Sequence, residues 1–347
     1  MRVLVTGGGG FIGSHLCEAL VAEGHQVRVV DRAPAHRVDG VEVQVADLTH
    51  PGVAEAAVEG VEAVCHHAAK VGLGVDMADA PGYASDNDLG TAELLAALAA
   101  SSFTGRLVLA SSMVVYGEGR YTCSDHGDVA PRPRERADLE AGRFEPRCPR
   151  CGKPLAWGLV GEDARLEPRS LYATSKVAQE HFSACWARET GGSVIALRYH
   201  NVYGPRLPLN TPYAGVAAIW RSALRGGRAP QVFEDGGQMR DFVHVRDVAR
   251  ANLAALALAS GQSAGAGSFE AFNVCSGRPV NIGRVAELLA DAFGPNAPRP
   301  EVTGHFRMGD VRHVVASPER AREVLGFSAS VPLAEGLAEL AAEAAPD

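Results

Sequence analysis

Tyr172-Ala173-Thr174-Ser175-Lys176 is the segment of this chain best suited to proton transfer. It opens a helical stretch, and an i, i+4 spacing puts the phenol and the ammonium on one helix face. A phenol has an ordinary pKa of about 10, too high for a useful base at neutral pH. A neighbouring cation favours the phenolate and moves it toward the working range. Ser111-Ser112 ends an apolar run earlier in the chain, where the Ser112 hydroxyl can hydrogen-bond the oxygen of a reacting alcohol. Ser112, Tyr172 and Lys176 are therefore candidates for catalysis at a hydroxyl group.

Such chemistry needs an electron acceptor, and the N-terminus offers a place for one. Thr6-Gly7-Gly8-Gly9-Gly10-Phe11-Ile12-Gly13 contains G-x-x-G-x-x-G between a predicted strand and a predicted helix. Side chains there would block a pyrophosphate, and the helix N-terminus supplies free N–H groups and partial positive charge. Gly7, Gly10, Phe11, Ile12 and Gly13 are the expected contacts. Asp31 lies 18 residues after Gly13 at the end of the second predicted strand, where a carboxylate can accept both adenosine ribose hydroxyls. That favours NAD over NADP, although Arg32 beside it could welcome a 2′-phosphate. Asp47 and Leu48 follow the third strand, a usual place for adenine contacts in this fold. Ala68 and Ala69 follow the fourth, where small residues let backbone approach the cofactor. Ser111, Tyr172 and Lys176 complete the cofactor set, the oxidised nicotinamide adding its positive charge beside the phenol. His66 and His67 read as strand residues.

Cys123-x-x-His126 and Cys148-Pro149-Arg150-Cys151-Gly152 form two short-spaced pairs, 21 residues apart, that can close a tetrahedral Cys₃His zinc site. Such a closed site would be structural, stapling a polar segment that has no core of its own. The alternative is a set of unpaired thiols in a loop. Cys17, Cys65, Cys185 and Cys275 read as small apolar core residues.

The elements that must position these groups alternate strand and helix in the first half, which predicts an α/β fold, a Rossmann doubly wound parallel sheet with a smaller C-terminal α/β lobe. Strands are expected at Arg2–Thr6, Val27–Asp31, Val41–Ala46, Ala63–His67, Arg106–Ser112 and Ser193–Tyr199, with helices at Ser14–Glu23, Asn87–Ala100 and Leu171–Arg188. Residues 1–204 are read as the dinucleotide domain, interrupted at about 118–168 by a polar insertion without a sheet-forming pattern. Residues 205–241 and 276–347 form the smaller lobe, while 242–275 return to the main sheet. A formal net charge of −8 argues against nucleic acid as a partner. No apolar run is long enough for a membrane helix, and the first strand leaves no room for a signal peptide. A cytoplasmic setting, with reduced cysteines, is the expectation.

Taken together, the glycine turn, Ser112 four residues before Tyr116 in Ser-Met-Val-Val-Tyr-Gly, and the Tyr172/Lys176 pair resemble the extended short-chain dehydrogenases/reductases, specifically nucleotide-sugar epimerases and dehydratases. The resemblance covers essentially the whole chain. It implies that Asn87 contacts the cofactor and that Asn201, in Arg198-Tyr199-His200-Asn201-Val202-Tyr203-Gly204-Pro205, contacts a diphosphate. It also implies that Arg240, in Gly237-Gln238-Met239-Arg240-Asp241, and Arg307 hold phosphate by charge-assisted hydrogen bonds and deliver the sugar to Tyr172. A dTDP- or UDP-sugar is the implied substrate, and a homodimer built on helices Asn87–Ala100 and Leu171–Arg188 the implied assembly.

Dehydratases of this kind carry Asp-Glu directly after the Ser/Thr, and decarboxylating relatives keep a Glu just before Val-Tyr-Gly. Here Met113 and Val114 stand there and transfer no proton. Epimerisation or simple ketosugar reduction remains. The Cys-bearing insertion and Asn210-Thr211-Pro212-Tyr213-Ala214-Gly215-Val216 resemble bacterial dTDP-L-rhamnose 4-epimerases, which make dTDP-6-deoxy-L-talose. The competing readings are a UDP-hexose 4-epimerase, an NAD(P)-dependent 4-ketosugar reductase and, from another class, a non-catalytic dinucleotide-binding scaffold. An intact Ser112/Tyr172/Lys176 set speaks against the scaffold.

Overall fold

The structure is a computed structural model that describes residues 1–33, 39–72, 74, 76–208, 215–258 and 266–343. Short apolar runs rich in Val and Leu make seven strands, β1 (Arg2–Thr6), β2 (Gln26–Asp31), β3 (Val41–Val45), β4 (Ala63–His66), β5 (Arg106–Ser112), β6 (Ser193–Tyr199) and β7 (Phe269–Val274). They form one sheet in the order β7-β6-β5-β4-β1-β2-β3, parallel at every pairing. Strand order reverses between β1 and β4, the switch point where open α/β sheets leave a crevice at their carboxyl ends.

Both faces of the sheet are covered, as a wholly parallel sheet requires. The main-chain alternation sends Val3 and Val5 to one face and Leu4 to the other. On the first face lie α1 (Phe11–Ala22), through Leu16 and Leu20, and Val245–Ala257, through Val248, Ala251 and Ala255. On the second lie α2 (Val53–Val58), α3 (Gly90–Ala100) and α4 (Leu171–Thr190), which contribute Ala57, Leu94, Leu98 and Trp186. A separate core, with Trp220, Leu224, Val285, Leu289, Leu337 and Leu340, belongs to the smaller lobe and its helices α5 (Val216–Arg225), α7 (Ile282–Ala292) and α9 (Leu333–Ala342); Val245–Ala257 is α6 and Glu319–Leu325 is α8.

Three features depart from the sequence reading. Phe242–His244 does not join the main sheet; it pairs in parallel with Asn201–Tyr203, and only the following helix α6 returns to the sheet's face. Helix α8, within the segment assigned to the smaller lobe, buries Ala321 and Leu325 in the main core. The insertion does contain a sheet. Arg120–Cys123 pairs antiparallel with Gly127–Asp128 and Ala156–Gly158, strands of two to four residues, too short for a period of two to show. Residues 210–214 of the segment resembling the rhamnose epimerases lie outside the described residues.

Candidate active site

A cleft of about 670 Å³ opens at the switch point. Its floor is the glycine turn. Gly7 has φ +70, a conformation L side chains rarely adopt, and a Cβ there would come within 2.7 Å of the Ala68 nitrogen. A Cβ on Gly13 would lie 2.2 Å from the Gly7 carbonyl oxygen. The turn is thus a cradle that side chains would fill, at the amino end of α1, and this fits a dinucleotide pyrophosphate. Gly10, Phe11, Ile12, Asp31, Arg32, Asp47, Leu48, Ala68, Ala69, Ser111, Tyr172 and Lys176 also line the cleft.

Asp31 is oriented by backbone N–H groups of the glycine turn and of the residue two places on. Its carboxylate accepts from Gly9 N–H (2.9 Å) and Ala33 N–H (3.1 Å). Arg32 is held by carboxylates on both sides, Asp47 at 3.4 Å and Asp86 at 2.8 Å. The guanidinium that could have welcomed a 2′-phosphate is thereby engaged, which weakens the case for NADP. Asn87 does not line the cleft. It is fully buried; its side-chain oxygen accepts from Lys70 N–H (2.6 Å), and its NH₂ donates to the Lys70 carbonyl (3.0 Å) and Ser175 Oγ (2.8 Å). It braces the backbone of Lys70, a cleft residue, against α4.

Ser170 caps α4, its Oγ accepting from Ala173 N–H at 3.1 Å, and this fixes Tyr172 in the first turn. Lys176 lies one turn on, buried, with Nζ donating to the Ala110 carbonyl at 2.8 Å and 5.8 Å from the centre of the Tyr172 ring. Burial pushes the Tyr172 phenol up to about 12, opposed only in part by the nearby Ser112 hydroxyl. Burial also pulls the Lys176 ammonium down to about 7, while the Glu180 and Asp88 carboxylates work the other way. In the protein by itself the phenol therefore lies above its ordinary value, because desolvation disfavours the phenolate. A further positive charge in the cleft is needed to bring the phenol into use.

Glu180 was not foreseen. It stands at the third step of the same face (Tyr172, Lys176, Glu180), a spacing visible in the sequence. Its carboxylate accepts from Arg198 Nε (3.0 Å) and Nη2 (2.8 Å) and from Ser111 Oγ, all buried. Arg198 also donates to Tyr116 Oη (3.0 Å) and the Glu162 carbonyl (2.9 Å). Ser111 and Tyr116 therefore support the site from behind, and only the backbone side of Ser111 is available to a cofactor. His66 bridges Thr6 and Thr91 at 2.7 and 2.9 Å, and His67 reaches Asn252 at 3.1 Å; burial lowers both rings to about 3 and 4, so both are neutral structural groups. Lys70, another cleft residue not foreseen, donates to Asp79 at 3.0 Å.

Asn201, Arg240 and Arg307 do not line the cleft. Asn201 Nδ2 donates to the Asp241 carbonyl at 3.1 Å and approaches Met113 Sδ at 3.8 Å, beside Ser112. Arg240 donates to the carbonyls of Met239, Arg312 and Val311, each at 2.8 Å. Arg307 lies over the Phe233 ring at 5.3 Å. The half-buried Asp310 carboxyl is raised by desolvation, opposed by the charges of both arginines.

In the insertion, the donor atoms of Cys123, His126, Cys148 and Cys151 all lie within 4.8 Å of one another. Cys123 Sγ and Cys148 Sγ are each 3.5 Å from His126 Nδ1, and Cys123 Sγ is 3.6 Å from Cys151 Sγ. Tetrahedral zinc with Zn–S of about 2.3 Å and Zn–N of about 2.0 Å gives ligand–ligand edges of roughly 3.5–3.8 Å. The donor set fits such an ion. Cys17, Cys65 and Cys275 are buried as expected, but Cys185 is exposed on α4, donating to Glu189 Oε1 at 3.3 Å.

Residues 3–147 and 158–275 match the NAD dependent epimerase/dehydratase family. Over 354 aligned residues the chain is 33% identical to a dTDP-L-rhamnose 4-epimerase of Burkholderia thailandensis, covering 98% of this chain and 93% of that protein. It is 30% identical to a UDP-glucose 4-epimerase of Mycolicibacterium smegmatis, with 98% and 97% covered. Among solved structures, the UDP-glucose 4-epimerase of Thermus thermophilus in complex with NAD superposes with a TM-score of 0.76 at 30% identity, covering 97% of both chains.

Proposed function

This chain belongs to the NAD dependent epimerase/dehydratase family, and on that premise we propose that it is a nucleotide-sugar 4-epimerase that inverts the C4 hydroxyl through a transient 4-keto sugar. The observation that carries the proposal is a cleft lined by Tyr172 and Lys176, with Ser112 at the end of β5 followed by Met113 and Val114, which offer no acid or base for loss of water or carboxylate. NAD, when bound, supplies a reversible two-electron acceptor for the C4 hydrogen. The protein's own groups move the proton. Tyr172 Oη takes it from the C4 oxygen and later returns it, and Ser112 Oγ hydrogen-bonds that oxygen. Lys176 contributes positive charge beside the phenol from its seat on the Ala110 carbonyl. Asn201, Arg240 and Arg307 are the proposed holders of the diphosphate, leaving the sugar free to present either face.

The Burkholderia relative and the Cys-bearing insertion together favour dTDP-L-rhamnose as substrate and dTDP-6-deoxy-L-talose as product. Arg32, engaged by Asp47 and Asp86, favours NAD and disfavours an NADP-dependent reductase. We include in the proposal a structural zinc on Cys123, His126, Cys148 and Cys151, a cytoplasmic setting, and a homodimer through α3 and α4, beside which Leu89 and Phe182 stay exposed.

The test is a panel of dTDP-L-rhamnose, UDP-glucose and UDP-glucuronate. The expected result is interconversion of the rhamnosyl and talosyl nucleotides with no net absorbance change at about 340 nm, whereas net reduction of added NAD or NADP by one of these C4 alcohols would establish a ketosugar reductase running in reverse instead. Tyr172→Phe should keep NAD binding and lose roughly 10²–10⁴ in kcat, the range of general acid–base catalysis. Elemental analysis of the purified protein should find about one zinc per chain, the number that fills a four-ligand site.

A further inference from the structure

The insertion is fastened to one narrow strip of the smaller lobe. Arg134 Nη1 pairs with Glu234 Oε1 at 2.8 Å, and its Nη2 donates to the Asp310 carbonyl at 2.8 Å. Glu145 accepts from Arg312 Nη2 at 2.7 Å and meets His313 Nε2 at 2.9 Å. Arg312 closes the network on Glu234 (2.8 Å), and Arg134, Glu234 and Arg312 are all at most 5% exposed. The backbone adds to it. His313 N–H donates to Tyr121 Oη at 3.1 Å, Gly119 N–H to the His313 carbonyl at 3.0 Å, and Ser317 N–H to the Val160 carbonyl at 3.0 Å.

The same strip holds Arg240, whose guanidinium donates to the carbonyls of Val311 and Arg312. Arg240 and the insertion thus share the same few residues as partners. Two links run from this strip to the four-ligand cluster. Tyr121 packs with Cys123, Cys148 and Leu155 in a small core, and Glu145 lies three residues before Cys148 in a turn closed by Leu155 N–H donating to the Pro146 carbonyl at 2.9 Å.

We infer that the Cys-bearing insertion is a positioning device for the substrate's diphosphate end: by anchoring residues 310–313 through Tyr121, Arg134 and Glu145, it sets the place of the Arg240 guanidinium. The inference rests on the proposed reading that Arg240 holds the diphosphate and that the cluster binds zinc. The physical reason is that a half-buried guanidinium tied to three backbone carbonyls has little slack. Its donors follow the carbonyls they are bonded to, and a segment of short strands with a core of a few residues keeps its shape only when cross-linked. Neither Tyr121, Arg134 nor Glu145 touches the cleft floor or Tyr172, so the effect falls on substrate binding rather than on proton transfer.

The experiment uses the full chain loaded with NAD, with dTDP binding read by calorimetry and steady-state kinetics on dTDP-L-rhamnose. Glu145→Gln should retain its zinc, leave kcat within about twofold, and raise both KM and the dTDP dissociation constant about tenfold. Removing zinc from the wild-type protein with a chelator should produce the same split, reversed when zinc is restored. Arg240→Met serves as the reference. If it leaves dTDP affinity unchanged, the diphosphate reading fails and the inference goes with it. If it weakens dTDP while Glu145→Gln and zinc removal do not, the coupling alone is refuted. If the purified protein holds no zinc and takes none up, the metal link is refuted, and Glu145→Gln then decides whether the ion-pair network positions Arg240 by itself. A fall in kcat equal to the rise in KM would also overturn the inference.

Discussion

Replacing Glu180 by Gln tests the support behind the proposed catalytic pair. The Glu180 carboxylate and the Arg198 guanidinium are 2% and 4% exposed and meet in two bonds, at 3.0 and 2.8 Å. Glu180→Gln leaves Arg198 charged in the interior, with one neutral acceptor in place of the carboxylate, beside Tyr116 and the Glu162 carbonyl. Breaking a buried pair in this one-sided way costs about 3–5 kcal/mol, and the retained amide oxygen puts this case near the lower end. For a chain of this size that corresponds to a fall in Tm of roughly 4–7 °C. Arg198→Met should cost a similar amount, and the double variant less than the sum, with a coupling of about 2 kcal/mol. Denaturant and thermal melts of the four proteins measure the cycle. Glu180 also favours the charged form of Lys176, so Glu180→Gln should move the high-pH limb of kcat to lower pH. Additive effects within about 0.5 kcal/mol, together with an unmoved pH profile, would refute the assignment of Glu180 as an electrostatic support.

Lys176→Met should abolish turnover and yet raise stability near neutral pH. Burial lowers the folded-state value to about 7 from an ordinary lysine value. The unfolded chain therefore binds this proton more tightly, and native stability rises with pH from about 7 up to the ordinary lysine value near 10.4. The gain from Met should thus be greatest at or below about pH 7, up to roughly 4 kcal/mol, and should shrink as pH rises; melts at three pH values read it, and a gain that grows with pH would contradict it. Gly13→Ala places a Cβ 2.2 Å from the Gly7 oxygen and 2.8 Å from Gly8 Cα, both backbone atoms. The turn must shift, at a cost of about 1–3 kcal/mol. NAD affinity should fall at least about tenfold by fluorescence titration, since about 1.4 kcal/mol corresponds to a factor of ten, and an unchanged dissociation constant would show that the turn is not the pyrophosphate cradle.

Much of the cofactor end of the site was legible because its signals are local. A glycine turn between a β-run and a helix, a carboxylate at the end of β2 and small residues after β4 each depend on a few neighbouring positions, and β1, β5 and β6 have the bounds their apolar runs suggest. The proposed diphosphate contacts rest on resemblance alone, because Asn201, Arg240 and Arg307 come from separate segments that no spacing relates. Helix α8 illustrates the same limit: seven residues of ordinary amphipathic sequence carry nothing that says which of two cores they join.

Composition and pattern alone determined a parallel sheet wound by helices, because buried β-runs alternating with amphipathic helices have few other ways to cover both faces. They also brought phenol and ammonium to one helix face, since that follows from the helical period. Only the tertiary structure decided how those groups titrate. Burial, a property of everything packed around them, pushes the phenol up and the ammonium down, against what their mutual proximity suggests. It likewise decided that Arg32 is engaged by Asp47 and Asp86, that Asn87 braces a loop, and that the insertion reaches the strip beneath Arg240. Desolvation and long-range ion pairing depend on distance in space, and a linear chain does not state those distances.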